Sequence, residues 1–589
     1  MKARLQGPPL QPSPFRTFPE ALAAAAASAG RVVLVSAGEE ELALTWAEVR
    51  SRARRMAAAL MARGVAPGDR VAMVLPTGRD FLDAFFGAWL AGAVPVPLYP
   101  PVRLGRMDEY ARATARMLTC AGARVVLSDR RIRLLLGRAL ETVALPLGAP
   151  TVAELMEETA EAERPSNPED LGLIQFSSGS TVDPRPVALT HANLLAQCAA
   201  LKQLLPMPEG GSNTGVSWLP LYHDMGLIGC LLAAAAWPGG SLALLPPEAF
   251  LARPAIWLRT LSRHRGIISP APNFAYGLCL KRVRDEELEG VDLSAWRYAL
   301  DGAEPVSAEL LERFADRFAR FGFRREALMP VYGLSEASLA VTFTAPEGTK
   351  RVLRLDGQRL AVDGRLAPGN RALVSVGTAV PGVELEVRGE AVLDEGQVGR
   401  VFVRGASVMR GYAGQPEATA RALSADRWLD TGDLGFVDQG ELFLCGRAKD
   451  LVIIRGANHA PQEFEECLDG LPGLRAGCAV ALGALLDGGT EESLLVLAEV
   501  TEGGLPGLAT AVSGAVVERT GVRPGQVVLL APGTLPRTSS GKLRRAEALR
   551  RYLAGELAAP RPATLITVGG ELARSAAAHA RRVLKGAGA

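Results

Sequence analysis

Lysine is scarce in this chain of 589 residues. Only seven occur, Lys2, Lys202, Lys281, Lys350, Lys449, Lys542 and Lys585, so arginine carries nearly all the positive charge and each lysine stands out. Net charge is equally small: 65 Lys and Arg against 63 Asp and Glu leave a formal +2. That balance gives no electrostatic case for nucleic acid or an anionic membrane surface. The seven cysteines form no CxxC pair and no Cys/His ligand spacing, which argues against a zinc module and for free thiols in a reducing compartment. The most apolar stretch, Leu227 to Trp237, is about half of the ~20 residues a spanning helix needs. The opening MKARLQGPPLQPSPF puts prolines where a secretory signal has its apolar run. A cytoplasmic protein without a membrane span is expected.

What is present is alternation. TWAEVRSRARRMAAALMARG has apolar residues at helical spacing, RVAMVLP reads as a short buried strand, and DFLDAFFGAWLAGAVPVPLYPP as a helix returning to a strand. The rhythm recurs at ARVVLSD, GVSWLPL, SLALLPP and GIISPAP, so the fold class expected is α/β, helices packed on mostly parallel sheets. The length requires more than one domain. After about residue 350 the chain turns polar and then strand-rich (VELEVRG, GRVFVRG), predicting a β-rich subdomain. Beyond CGRAKD a further helix-and-strand pattern predicts a compact C-terminal α+β domain. The boundaries expected are 1–446 for the large domain, 447–449 for a hinge, 450–558 for the small mobile domain and 559–589 for a tail.

FSSGSTVDPRPVALTH, from Phe176 to His191, poses the functional question. Ser177, Ser178, Gly179, Ser180 and Thr181 are small hydroxyl residues around a glycine, and their hydroxyls and backbone N–H groups suit phosphate oxygens. GLIQF before it reads as a strand and THANLLAQCAALKQLL after it as a helix with Thr190 as N-cap. Strand, loop and helix in that order form a common phosphate site. The loop does not match GxxxxGK[ST].

Five more stretches follow in order: WLPLYHDMGLIG, LDGAEPV, VYGLSEAS, DTGDLGF with GRAKDLVIIRG, and LPRTSSGKLRR. Together the six motifs resemble the adenylate-forming superfamily of acyl-CoA synthetases, luciferases and peptide-synthetase adenylation domains, over roughly residues 15 to 555. LYPP, SWLPLYHDMGLIG, PNFAYGLC, DGAEPV and IIRGANHAPQEFE look most like its fatty acyl-AMP ligases, which pass acyl groups to carrier proteins. GTKRVLRLDGQRLAVDGRLAPGNRA resembles the extra insertion of that branch. The resemblance implies activation of a fatty acid by ATP and Mg²⁺, then transfer to the phosphopantetheine arm of an acyl carrier protein. An acyl-CoA synthetase and a non-catalytic nucleotide- or acyl-binding scaffold are the alternatives.

Residue by residue, the resemblance makes Lys542 the catalytic lysine, a compact ammonium able to meet a carboxylate and an α-phosphate oxygen. Glu336 becomes the Mg²⁺ ligand, with Ser335 beside it as a donor to the α-phosphate. Gly302, Ala303 and Glu304 of DGAEPV, with Tyr332 and Gly333, would line the adenine and ribose; Tyr332 at a strand end is also compatible with simple packing. Asp433 could accept from both ribose hydroxyls, with Arg447 as a second ribose contact. Lys449 matches the hinge. His223 is either a gate to the acyl tunnel or a structural histidine. The loop departs from the family pattern SSGSTGxPKG at Val182, Arg185 and Pro186. Proline lacks an amide donor and valine resists positive φ, so an altered but working phosphate cradle is expected.

Overall fold

The computed structural model describes residues 1–101, 106–177, 185–207, 213–346, 348, 350–454, 457–486, 492–501, 506–538 and 542–559. The tail beyond 559 and loop residues Ser178, Gly179, Ser180, Thr181 and Val182 lie outside them.

The anticipated alternation builds two sheets. One has nine strands. Its inner members, Arg31–Val35, Ser241–Leu244, Thr214–Ser217, Ile268–Ala271, Tyr298–Asp301 and Leu328–Gly333, run parallel, and antiparallel strands close both edges. The second is parallel, with Arg70–Val74 between Val94–Leu98 and Ala123–Ser128. The helices are set by ordinary end signals: Trp46–Ala62 starts at Thr45 in a complete capping box with Glu48, and His191–Leu204 starts at Thr190, also with a capping box. Their apolar faces meet in cores lined by Trp46, Phe85, Phe86 and Trp89 on one side and Trp257, Tyr276, Trp296 and Phe314 on the other.

The apolar run Leu227 to Trp237 is not a membrane segment. Leu227–Leu232 is a π-helical turn continuing into the helix Ala233–Ala236, nearly all of it buried. Among the described residues no helix is long and apolar enough to cross a membrane.

The β-rich part is a five-stranded antiparallel sheet of Val383–Arg388, Gly399–Gly405, Leu429–Asp438 and Glu441–Arg447, with Arg4–Gln6 on its edge. The N-terminal strand was not legible from its three residues. The segment read as polar and aperiodic also has structure: Val352–Leu355 pairs antiparallel with Arg371–Val374, with a short helix, Gly357–Asp363, between them. Leu355 caps Phe436 and Phe443, which stack with rings 5.1 Å apart. Periodicity missed it because only isolated apolar residues anchor it.

The C-terminal region forms its own cores on a sheet of Leu474–Ala484, Ser493–Val500 and Gln526–Leu530. The helices Leu508–Thr520 and Arg545–Leu553 pack on that sheet. Contacts fix its pose on the large domain. Arg106 donates to the carbonyls of Gly533 and Thr534, each at 3.2 Å, Arg551 forks onto Glu109 at 2.9 and 3.1 Å, and Arg371 of the inserted hairpin lies 3.5 Å from Glu463.

Candidate active site

One cleft of about 3440 Å³ opens between the two parts, and Asp224, Glu304, Glu336, Asp433, Arg447 and Lys542 all line it. The first five come from the nine-stranded and β-rich sheets and the segments after their strands, and Lys542 from the C-terminal region. Parallel strands explain Glu304 and Glu336, because a ligand crevice forms at their carboxyl ends, while Asp433 and Arg447 come from antiparallel strands of the β-rich sheet. Tyr298–Asp301 ends into Gly302, Ala303 and Glu304; Leu328–Gly333 ends into Ser335 and Glu336.

Close backbone approach demands the glycines here. A Cβ on Gly302 would lie 2.9 Å from the Val331 carbonyl oxygen, and one on Gly333 only 1.7 Å from that of Leu339. Ala303 itself sits at φ +70, a left-handed conformation uncommon for alanine. Glu304 accepts the Phe274 N–H at 2.5 Å, and burial pushes its carboxyl up.

Asp433 is held from two directions. Tyr332 donates its hydroxyl to Oδ2 at 2.6 Å and Arg447 Nε donates to Oδ1 at 2.9 Å. Asp433 and Arg447 are paired residues of adjacent strands, which is why they meet. The neighbouring Asp433 holds the Arg447 guanidinium above its ordinary value, while burial and then Asp433 push the Tyr332 phenol well up. The sequence joined Asp433 and Arg447 as ribose contacts; the tie to the Tyr332 hydroxyl was not foreseen.

Glu336 accepts from the Tyr412 hydroxyl at 2.9 Å, and burial pushes its carboxyl up, so a cation beside it would be welcome. Arg185 lies over the Tyr412 ring, 5.1 Å from its centroid. Among the described residues no cluster of three or more His, Cys, Asp or Glu could hold a metal by itself. Mg²⁺ is commonly bound through one or two carboxylates plus substrate phosphates, and Glu336 is a carboxylate on the wall of the cleft.

Ser335, expected as a donor to the α-phosphate, faces Asp224. Its hydroxyl donates to Asp224 Oδ2, in a contact shorter than an ordinary hydrogen bond. Asp224 also faces His223 Nδ1 at 2.6 Å and the Met225 N–H at 2.7 Å. Burial alone would raise the Asp224 carboxyl, but His223, Ser335 and Lys542 outweigh it and hold it well below the usual range. The sequence singled out His223 and passed over its neighbour. A charged residue inside the apolar run LYHDMGLIG was the available signal.

Lys542 closes the cleft from the C-terminal side. Its own N–H donates to Thr538 Oγ1 at 3.0 Å, and the Thr538 N–H returns to its carbonyl at 2.7 Å. Burial lowers the ammonium's pKa, against the attraction of Asp224, Glu304 and Asp433. Lys449 lies in a short 3₁₀ turn, Ala448–Asp450, where the β-rich sheet hands over to the C-terminal region, and burial lowers its pKa as well.

The segments flanking the expected phosphate loop differ from the expected ones. Leu171–Phe176 pairs antiparallel with Pro186–Thr190, so the order is strand, loop, strand, helix. PVALT is a fully buried strand, and its short apolar run had no period to announce it. Pro186 is therefore the first residue of that strand, opposite Phe176, where its missing N–H is tolerated. Its carbonyl accepts from the Ala413 N–H at 2.8 Å. The Ser177 N–H donates to the Arg185 carbonyl at 3.0 Å, closing the stem.

Comparison with known proteins agrees with this geometry. The AMP-binding enzyme family matches residues 22–413. A Caulobacter vibrioides (strain NA1000 / CB15N) protein provisionally named an acyl-CoA synthetase is 38% identical over 560 residues, covering 92% of this chain and 96% of that protein. The medium-chain-fatty-acid–[acyl-carrier-protein] ligase JamA of Moorena producens (strain JHB) is 33% identical over 566 residues, 88% of this chain and 92% of JamA. A solved chain from a study of fatty acyl-adenylate ligases of E. coli and L. pneumophila superposes with TM-score 0.86 at 33% identity, covering 93% of this chain and 99% of that one. The chain belongs to the AMP-binding, adenylate-forming enzymes, within their fatty acyl-AMP ligase branch.

Proposed function

We propose that the protein activates a fatty acid as its acyl-adenylate and passes the acyl group to the phosphopantetheine thiol of an acyl carrier protein. The observation that carries this reading is one cleft lined by Lys542 of the C-terminal region together with Glu336, Asp433 and Arg447. In the first half-reaction a carboxylate oxygen attacks the α-phosphorus of ATP, the bond to the β-phosphate oxygen breaks, and pyrophosphate leaves. Lys542 neutralises charge between carboxylate and α-phosphate, where a fixed donor is worth most. Asp433, oriented by Tyr332 and Arg447, accepts from the ribose hydroxyls. Glu336 would hold Mg²⁺, which supplies charge neutralisation on the phosphates when bound. Ser177 and the loop after it receive the distal phosphates. In the second half-reaction the thiol sulfur attacks the acyl carbon, the anhydride C–O bond breaks, AMP leaves and the thiol proton goes to solvent. Positioning does most of the work in both. Lys449 is the hinge between the two poses, the small domain spans 450–558, and His223 gates the acyl tunnel.

Support for a carrier protein as acceptor comes from JamA, whose name states that transfer, and from the inserted hairpin at 352–374. Coenzyme A is the second reading, favoured by the name of the Caulobacter relative. Purified protein with ATP, Mg²⁺ and a fatty acid should release pyrophosphate and accumulate acyl-AMP. Added carrier protein, and not coenzyme A, should then discharge it. Release of no pyrophosphate with any fatty acid would overturn the proposal, and discharge by coenzyme A alone would select the second reading.

A further inference from the structure

The cleft does not stop at the nucleotide residues. They gather at the carboxyl ends of the parallel strands, yet Ile268, which also lines the cleft, is the first residue of Ile268–Ala271 and stands at the amino end. Pro270 lies two residues on, on the same face, and the strand register sets Tyr298 and Leu300 beside the pair. Of this sheet face, Ile268, Pro270, Leu300 and Val331 all reach the cleft. The facing wall is helical. Leu201 and Leu205, one turn apart at the end of His191–Leu204, line it from the other side. Just past them the Pro206 carbonyl accepts the Tyr298 hydroxyl at 2.7 Å, and Tyr298 begins its own strand. That helix therefore ends at the amino end of the sheet, and the cleft continues between the two walls as a tube running away from Glu336 and Asp433. None of the six wall residues is charged.

Trp237 stands at the far end. It lines the cleft and is only half-buried, so its indole faces the tube on one side and solvent on the other. Its Nε1 donates to the Cys198 carbonyl at 3.2 Å, and Cys198, Leu201 and Leu205 follow one another at helical-neighbour spacing. From Asp224 the chain reaches Trp237 through an unbroken helical run, Asp224–Gly226, Leu227–Leu232 and Ala233–Ala236. At ~1.5 Å per residue that run spans roughly 20 Å, a length suited to an alkyl chain. The bore is narrow on the way: a Cβ on Gly229 would lie 2.8 Å from Leu339 Cδ2, and both residues line the cleft.

We propose that Trp237 is a specificity-determining residue, whose indole closes the far end of the tube and sets the longest acyl chain the enzyme activates. The inference rests on the acyl-adenylate reading above and narrows its substrate class to acids with an apolar tail that fits between the nucleotide site and the indole. A polar tail end would be buried there without a partner, which is costly. A tail too long for the tube meets a ring that its own N–H holds in place.

The test measures kcat/KM for pyrophosphate release with saturated acids from octanoic to docosanoic, in full-length wild type, Trp237→Ala and Gly229→Ala. Wild type should show an upper length limit, beyond which kcat/KM falls at least about tenfold, the usual cost of a methylene that a pocket does not admit. Trp237→Ala should move that limit to longer acids, with the KM for ATP unmoved. Gly229→Ala pushes Leu339 into the bore and should move it to shorter ones. No limit in wild type, an unmoved limit in either variant, or an equal loss at every length in Trp237→Ala would overturn the proposal. Should Trp237→Ala fail to fold, Trp237→Phe keeps a ring but loses the N–H bond and should move the limit by less; an unmoved limit there also overturns it. If wild type releases no pyrophosphate with any acid, the functional reading fails, and displacement of a fluorescent fatty acid by the same series still reads the limit. An equal limit in wild type and Trp237→Ala, or no displacement by any acid, would then sink the stop itself.

Discussion

The nucleotide end of the cleft and the lysine end are built in opposite ways. At the first, Asp433, Tyr332 and Arg447 come from strands of the large domain and lock one another with bonds of 2.6 and 2.9 Å. At the second, Lys542 is carried by another domain, whose pose depends on a few side-chain clamps, Arg106 to two carbonyls and Arg551 to Glu109. On the proposed function, a preorganised half binds in every state of the enzyme, and a visiting half is present only in the state where it is needed. The difference predicts which substitutions harm one half-reaction and which harm both.

The largest effect belongs to the visiting half. Lys542→Ala should cut adenylation by about 10²–10³, the cost of removing a strong electrostatic stabiliser, while transfer from pre-made acyl-AMP survives. Separate assays of the two half-reactions check it, and adenylation within threefold of wild type would refute the role. The same group gives a pH signature. Burial lowers the pKa of Lys542, and only the ammonium form neutralises phosphate. Activity is therefore complete below that pKa and lost as pH rises through it, at a lower pH than for an ordinary lysine. The alkaline limb should appear in adenylation and be absent from transfer.

How far this contrast was visible in the sequence depends on the kind of signal. Lys542 stood out because lysine is rare here, and its domain was legible from the periodicity of GCAVALG and SLLVLAEV. The strands of the large domain were equally plain. Partnerships were not. That Tyr332 would serve Asp433, a hundred residues later in the chain, follows from which strands lie side by side, and no local pattern encodes that. Asp224 and the PVALT strand were hidden for a related reason: each is one polar or one short apolar feature whose meaning comes from what packs over it.

The fixed half should respond more mildly and in both assays that use nucleotide. Tyr332→Phe removes the donor to Asp433 Oδ2 but leaves Arg447 in place. A hydrogen bond to a charged group at the low end of its range contributes about 1.5 kcal/mol, which is about tenfold. The expected outcome is an ATP Michaelis constant raised about tenfold with the fatty-acid constant unmoved. Equal shifts in both constants would mean that Tyr332 supports the cleft generally.

Weaker again are the clamps. Arg551→Ala breaks the fork to Glu109, whose carboxylate is largely exposed, together with the bond to Glu547 within the same region, and such pairs are worth about 0.2–1 kcal/mol. Adenylation should fall by a small factor that shrinks further in high salt, since screening weakens such pairs already in the wild type. A salt-independent or large loss would show that the clamp by itself sets the pose.

The smallest expected effect concerns Pro186. Its departure from the family's glycine suggested a weakened phosphate cradle, yet the residue heads a buried strand, pairs opposite Phe176 and receives the Ala413 N–H on its carbonyl. A ring in that position pre-sets φ for the strand and stiffens the unfolded chain. Pro186→Gly should consequently lower stability by about 0.4–1 kcal/mol through unfolded-state entropy, read as a modest fall in melting temperature. The ATP Michaelis constant should stay where it is, because the hairpin stem keeps its Ser177 to Arg185 bond and the loop's entry and exit are unmoved. A drop in that constant, in a variant that melts as predicted, would instead show that the proline restrains the loop from outside it, and that the rigid half of the cleft reaches as far as the phosphates.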